Sequence, residues 1–207
     1  MITFLTKDDT SFTDQGILCQ GQYYSGHLGV TKLCRFGEPT LFETISKRVG
    51  ATEAKAILKK SSERGNRIHL EMETKWKEVL KEPDLTRLGK MAGVEVFLTG
   101  TIKSVKCLGF ADAIFYNSDR GVYTIVDYKT KSSKYSWNTY GTIEKYWMQL
   151  SAYAILLNQM FGFKNIEVAT FILFKDNSPY LSYYSTMEDL RPFAIKVLEK
   201  ADLVLKG

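Results

Sequence analysis

The sequence predicts an α/β fold in which a mixed central β-sheet is flanked by helices and preceded by a helical lead-in. Three observations predict it. Runs rich in β-branched and aromatic residues, VEVFL (94–98), GFADAIFY (109–116) and VYTIVDYKT (122–130), follow one another in mid-chain. A helical pattern at 142–162 separates them from two further runs, VATFILF (168–174) and YLSYYS (180–185). Helical periodicity also fills much of the stretch before the first run and the stretch after the last.

Length and composition bound the answer. The chain has 207 residues, 44% hydrophobic and 25% charged, as ordinary globular proteins have. A chain of this size buries roughly 70% of its unfolded surface, enough for one domain. A disordered chain, a collagen-like repeat and a coiled coil do not fit. The longest unbroken apolar run, Ala152–Leu157, has six residues, against about 20 for a membrane span, so no membrane partner is expected. The opening MITFLTKDDT reaches a Lys and two Asp before any long apolar stretch. A secretory leader is therefore not expected, and the expected location is the cytoplasm. Cys19, Cys34 and Cys107 form no CxxC pair and no zinc pattern; they read as free thiols in a reducing compartment. A net charge of +5 tolerates nucleic acid as a partner without demanding it.

The elements follow in order. Residues 1–38 mix Gly, Ser, Tyr and polar residues, and short strands or an extended arm both fit. PTLFETISKRVG (39–50), bounded by Pro39 and Gly50, reads as a short helix. A second helix is expected from Thr52, as N-cap with Glu53 in the first turn, to about Leu80. Ala56, Leu58, Ile68, Met72, Trp76 and Val79 supply its apolar stripe. Gly65 inside it costs about 1 kcal/mol relative to Ala and marks a close approach or a break. The strands turn at NSDRG (117–121) and DNSP (176–179). Gly162 stops the helix at 142–162, and the last helix spans Met187 to Leu205.

Four features carry chemistry. The first is Asp127-Tyr128-Lys129 at the end of an apolar strand. Residues i and i+2 of a strand share a face, so a carboxylate and an ammonium stand side by side where TIVDYK leaves the core. The tripeptide alone is weak evidence, since Glu53-x-Lys55 and Glu73-x-Lys75 also occur, and a surface ion pair at a strand end would look the same. The second is Asp112 in Gly109-Phe110-Ala111-Asp112 on the preceding strand. A hairpin turning near Asn117–Gly121 brings Asp112 beside Asp127. Two carboxylates in one place repel, and a divalent cation removes that cost. Asp112 would otherwise cap a turn or pair with a lysine.

The third feature is Gly65-x-x-x-His69-x-x-x-Glu73, three residues on one helix face. His69 offers a nitrogen ligand better suited to Mn²⁺ than to Mg²⁺, although a single His on an amphipathic helix is ordinarily no ligand. The fourth is Gln149-x-x-x-Tyr153 with Lys145 one turn earlier, on a helix whose buried side takes Trp147, Leu150, Ala154 and Leu157. A Gln and a Tyr there can hydrogen-bond a water or a phosphate.

In chain order these read GxxxHxxxE, GxxD, DxK and QxxxY. The set resembles the RecB-type branch of the PD-(D/E)XK nuclease superfamily, within it most of all phage RecB-like exonucleases and the mitochondrial genome maintenance exonuclease. The resemblance covers about residues 44–175 and includes the stretch from Ile45 to Trp76. It implies a restriction-endonuclease-like core and a metal-dependent DNA nuclease using one or two Mg²⁺ or Mn²⁺ ions. By motif match, Asp112, Asp127 and the backbone carbonyl of Tyr128 would bind metal, His69 would be a further ligand, and Lys129 would be the catalytic lysine. Gln149 and Tyr153 would support the site and the DNA, and Glu73 matches the acidic end of the helical motif. Ala111 stands where the superfamily name has Pro. Several relatives carry four cysteines around an iron–sulfur cluster, three of them after the core; no Cys follows Cys107 here, so no such cluster is expected. One domain is expected over 1–207: an arm and helical lead-in (1–90), the catalytic sheet with the QxxxY helix (91–185), and a C-terminal helix (186–207).

Basic and aromatic residues interleave after the DxK strand: Lys129, Lys131, Lys134, Tyr135, Trp137, Tyr140, Lys145, Tyr146 and Trp147. Lysines follow a phosphate backbone while aromatics stack on unpaired bases, which favours single-stranded DNA or DNA ends. Half of these aromatics would serve equally well as core. Arg64 and Arg67 on the lead-in helix form a second basic wall. Residues 55–67 hold five Lys or Arg against Glu63, and residues 129–147 hold four Lys against Glu144. The expected function is a DNA exonuclease, with replication or recombination proteins as possible partners. An endonuclease of the same fold on structured DNA, or a non-catalytic DNA-binding module, are the rival readings.

Overall fold

Short strands form within the N-terminal segment. In the computed structural model, which describes residues 3–14, 16–79, 87–131, 140–174 and 181–207, strands β1 (Thr10–Thr13), β2 (Gly16–Cys19) and β3 (Gln22–Tyr24) form an antiparallel meander. Side chains at 68–70, 72–79, 130–131, 140–142, 172–174 and 181–184 lie outside that description. The meander packs Ile17, Cys19 and Tyr24 against Phe97, Leu108 and Phe110 of the main sheet. The two-residue strand β4 (Leu28–Gly29) leads into a five-residue helix, α1 (Val30–Cys34).

Two helices follow. α2 (Leu41–Val49) opens on a capping box: the Glu43 N–H donates to Thr40 Oγ1 at 3.1 Å, and the Thr40 N–H donates to Glu43 Oε2 at 2.6 Å. It ends at Gly50, whose φ of 85° favours glycine. α3 (Ala51–Val79) begins one residue before Thr52, which therefore sits in the first turn and is not the cap. The helix runs through Gly65, and a Cβ placed there would meet nothing within 4 Å among the described residues. Among the described residues Gly65 is neither a break nor a close approach; a penalty of about 1 kcal/mol does not end a 29-residue helix.

The main sheet has six strands among the described residues. β5 (Lys90–Ile102), β6 (Val105–Asn117) and β7 (Val122–Lys131) are consecutive and antiparallel. A parallel neighbour needs a crossover, and α4 (Tyr140–Phe161) provides one to β8 (Ile166–Phe174), which lies parallel to β7. β9 (Leu181–Thr186) closes that edge antiparallel to β8. α5 (Arg191–Lys206) begins four residues later than expected, because Thr186 donates to Asp189 Oδ2 from its N–H (3.2 Å) and its hydroxyl (2.7 Å) and forms a separate turn first. The expected turn at 176–179 lies outside the described residues.

One sheet face packs α4 with α1 and α5 around Leu98, Ala111, Ile114, Ile125 and Val168. The other buries Leu88, Ala113, Phe115, Val126, Tyr128 and Phe171. Ile125 and Val126 are thus covered on opposite faces, which is why β7 reads as a continuous apolar run. Leu150, Leu156 and Leu157 of α4 are fully buried, each worth about 1.5–3 kcal/mol relative to exposure. No described helix is long and apolar enough to cross a membrane.

Candidate active site

The site begins where two strands part. β6 pairs with β7 from Asn117↔Val122 as far as Ala113↔Val126. On the same side, further back, β6 pairs in parallel with β4 at Leu28↔Cys107 and Gly29↔Leu108. Residues 109–112 therefore face a gap with no strand partner on that side among the described residues. Asp112 and Asp127 are the next residues beyond the last β6–β7 pair, one on each lip of the gap. The hairpin expectation for these two carboxylates holds.

Asp112 replaces the missing ladder. Its Oδ2 accepts from the Tyr128 N–H at 2.6 Å, a short charge-assisted bond. The N–H and C=O of one strand residue lie on the same edge, so the Tyr128 carbonyl also faces this gap. Asp127 is buried, with 1% of its surface exposed. Lys129, two residues on and on the same face, donates from Nζ to Asp127 Oδ1 at 2.6 Å. The ammonium also sits 5.2 Å from the centroid of the Tyr146 ring, within cation–π range. Asp127 Oδ2 is buried and has no hydrogen-bond donor among the described residues.

That orphaned oxygen tests the expected metal. A buried carboxylate oxygen without a donor is costly, and a second carboxylate next to it adds repulsion. A divalent cation answers both. The donors available are two carboxylates and a carbonyl edge, hard oxygen ligands of the kind Mg²⁺ and Mn²⁺ accept together with waters. Among the described residues, no group of three or more His, Cys, Asp or Glu side chains converges to hold a metal. His69 and Glu73 lie on the α3 backbone, and α3 contacts β7; their side chains are outside the description.

GxxD and QxxxY interlock. Gly109 faces α4, and a Cβ there would meet Tyr153 Cε1 at 2.7 Å, Tyr153 Oη at 3.2 Å and Val30 Cβ at 3.3 Å. The glycine thus makes room for the tyrosine ring. Gln149 Nε2 donates to Tyr153 Oη at 3.3 Å. Burial pushes the Tyr153 phenol up from its ordinary range; the Gln149 hydrogen bond opposes this, and the charges of Asp127 and Asp112 raise it further. Tyr153 is buried, so it braces the sheet below the carboxylates. Burial and Asp127 likewise push up the phenol of Tyr146.

Of the remaining predicted residues, only some fall within the described structure. Lys145 pairs with Glu38 Oε2 at 2.7 Å. Arg64 and Arg67 line a cavity of about 470 Å³ on α3 with Lys60, Ser61 and Glu63, and Arg67 pairs with Glu71 at 3.7 Å. Arg64 Nε is buried and has no acceptor among the described residues. Lys131 and Tyr140 lie at the end of β7 and the start of α4, their side chains outside the description; Lys134 and Trp137 lie outside the described residues altogether.

Sequence reasoning missed the contribution of the N-terminal segment. A cavity of about 270 Å³ opens beside Lys129, lined by Thr31, Cys34, Arg35, Lys129, Lys145, Tyr146 and Gln149. Thr31 and Arg35 are four residues apart on and just beyond α1, too short a run for any periodicity to reveal.

Comparison with known proteins agrees with this architecture. No curated protein matches the chain. Among solved structures, the crystal structure of SSO0001 superposes with a TM-score of 0.53 at 20% identity, covering 88% of this chain and 78% of that one. A Eubacterium rectale protein described as "Putative exonuclease" superposes with a TM-score of 0.53 at 17% identity, covering 91% and 85%. Likeness at such identities speaks for the fold: a mixed sheet flanked by helices. A family model extends the match to sequence over residues 33–205, from inside α1 to the last turn of α5, and on that span the chain belongs to the PD-(D/E)XK nuclease superfamily.

Proposed function

We propose that the chain is a metal-dependent DNA exonuclease of the RecB-type branch, acting on single-stranded DNA or DNA ends in the cytoplasm. The observation that carries the reading is the Asp112–Asp127–Lys129 cluster at the parting of β6 and β7, with its orphaned Asp127 oxygen. Asp112, Asp127 and the Tyr128 carbonyl would hold one or two Mg²⁺ or Mn²⁺ ions, with His69 as a further ligand. When bound, the cation supplies charge neutralisation at the phosphate and acidifies a water.

The chain's own residues do the rest. Asp112 ties β6 to the Tyr128 amide and so fixes the width of the gap. Lys129, held between Asp127 and the Tyr146 ring, presents a fixed positive charge that stabilises negative charge developing on the scissile phosphate. Gln149 and Tyr153 keep α4 seated against Gly109, so the carboxylates keep their spacing. Arg64, Arg67, Lys131, Lys134 and Lys145 follow the strand's phosphates, and Trp137 and Tyr140 stack on bases. The preference for ends is supported by this basic–aromatic interleaving and by the exonuclease description of the Eubacterium rectale neighbour. Replication or recombination proteins are the proposed partners.

End-labelled single- and double-stranded DNA, incubated with Mg²⁺ or Mn²⁺ and with EDTA, tests the reading. Nucleotides released progressively from one end, abolished by EDTA and by Asp127→Ala or Lys129→Ala, are expected. A circular single strand cut as fast as a linear one would overturn the exonuclease assignment, and variants as active as the parent would overturn the site.

A further inference from the structure

We propose that Arg35, with Thr31 beside it, forms a phosphate-binding subsite that holds one phosphate of the nucleic-acid strand next to Lys129. The inference rests on the nucleic-acid reading above and adds residues which that reading did not contain.

Position comes first. β4 is hydrogen-bonded to β6 next to the gap. α1 follows at once, with Val30, Leu33 and Cys34 buried against the core. Arg35 is the next residue, and its backbone N–H bonds the carbonyls of Lys32 and Leu33. The Cα of Arg35 is therefore anchored by a packed element and not carried on a free loop, as a preorganised contact requires. Thr31 and Arg35 are i and i+4 neighbours on the exposed side. Both line the 270 Å³ cavity that also contains Lys129 and Gln149.

Charge comes second. Among the described residues three cations line this cavity and no carboxylate does. Two of the three are matched: Lys129 by Asp127 at 2.6 Å, and Lys145 by Glu38 at 2.7 Å. The Arg35 guanidinium has no ion pair or side-chain hydrogen bond among the described residues. Its field still reaches the cavity wall. Burial pushes up the Cys34 thiol and the Tyr146 phenol, and Arg35 is among the charges that oppose it at both. The uncompensated charge beside Lys129 thus sits on the side chain whose planar donors match a phosphate. A cation merely facing a helix C-terminus is the plain alternative. α1 has only five residues, however, and the Arg35 side chain bonds none of its carbonyls among the described contacts. An internal phosphodiester and a terminal phosphate offer the same chemistry, and the test separates them.

Binding of fluorescent single-stranded oligonucleotides, hydroxyl-ended and 5′-phosphorylated, is measured by anisotropy in EDTA between about 50 and 200 mM salt. Arg35→Ala is expected to weaken binding about tenfold. It should also flatten the slope of log K against log salt by about 0.7, the value for one lost phosphate contact on a single strand. Arg35→Lys should keep the slope, and the melting temperature should stay at that of the parent. Equal losses on both oligonucleotides identify an internal phosphodiester; a loss confined to the phosphorylated one identifies a terminal phosphate. Unchanged affinity and slope on both would overturn the subsite. Should Arg35→Ala fail to fold, Arg35→Gln, which keeps most of the side-chain length, is read the same way. A parent that binds DNA but does not cut it with Mg²⁺ or Mn²⁺ removes the nuclease reading and leaves this subsite standing.

Discussion

Lys129→Ala separates the structural role of the lysine from its chemical one. In the folded chain its ammonium lies 2.6 Å from Asp127 Oδ1, with side-chain exposures of 20% for the lysine and 2% for the aspartate. Deleting one partner of a buried pair leaves a buried charge without compensation, at about 3–5 kcal/mol. The lysine is one-fifth exposed, so the lower end, about 3 kcal/mol, is the expected loss. For a chain of this length each kcal/mol lowers the melting temperature by about 2–4 °C. In EDTA, Lys129→Ala should therefore melt about 6–12 °C below the parent. A divalent cation should reverse much of this. The ammonium competes with metal for Asp127, so its removal should tighten metal binding. At a hundredfold excess over Kd, binding contributes about 2.7 kcal/mol. Thermal denaturation with and without Mn²⁺ is the assay. The Mn²⁺-induced shift should be larger in Lys129→Ala than in the parent, and absent in Asp112→Asn/Asp127→Asn, while Lys129→Ala remains inactive. A variant melting with the parent in EDTA, or one that Mn²⁺ does not stabilise, would refute the reasoning.

Three further outcomes are expected. Gly109→Ala drives a methyl into the Tyr153 ring, 2.7 Å from Cε1. It should destabilise the fold by about 1–3 kcal/mol in urea unfolding and lower cleavage with it. Glu167, near the start of β8, accepts from Arg87 and Arg120. Burial would push its carboxyl up, but the arginine hydrogen bonds outweigh burial and hold it below the ordinary value. A depressed carboxyl contributes stability above its unfolded value, about 4.3, and loses it as pH falls through the folded value. Glu167→Gln should therefore cost stability at pH 7 and little once the parent's carboxyl is protonated, a convergence read from melting curves in acid. Burial pushes the Cys34 and Cys107 thiols up to about 12 and about 11, and Cys19 is buried as well. Iodoacetamide at pH 8 should leave all three unmodified in the native chain and alkylate all three in denaturant, as mass spectrometry would show.

How much was legible varied along the chain. The β6–β7 hairpin was readable because two apolar runs flank a five-residue turn signal, and its register put Asp112 across from Asp127. The DxK pair was readable because strand geometry fixes i and i+2 on one face. Gly65 misled, since a glycine's meaning depends on what approaches it, and among the described residues nothing does. Gly109 was read only as part of GxxD; its partner, Tyr153, lies 44 positions away in sequence. No local pattern could announce that contact. Thr186 and Asp189 formed their own turn and delayed α5, a local competition that helix periodicity does not register.

By itself, then, the sequence determined the alternation of strands and helices and the identity of the acidic and basic residues in the DxK and GxxD motifs. Backbone periodicity and side-chain chemistry are local properties, and they are written residue by residue. Only the tertiary structure decided that β6 stops pairing with β7 at Ala113, that Asp112 takes up the freed Tyr128 amide, and that Asp127 keeps one buried oxygen without a donor among the described residues. It also decided that an N-terminal strand and one short helix fill in beside that gap and bring Arg35 to Lys129. These depend on which distant segments share a core, and burial and hydrogen-bond satisfaction select among such arrangements only when the whole chain is folded.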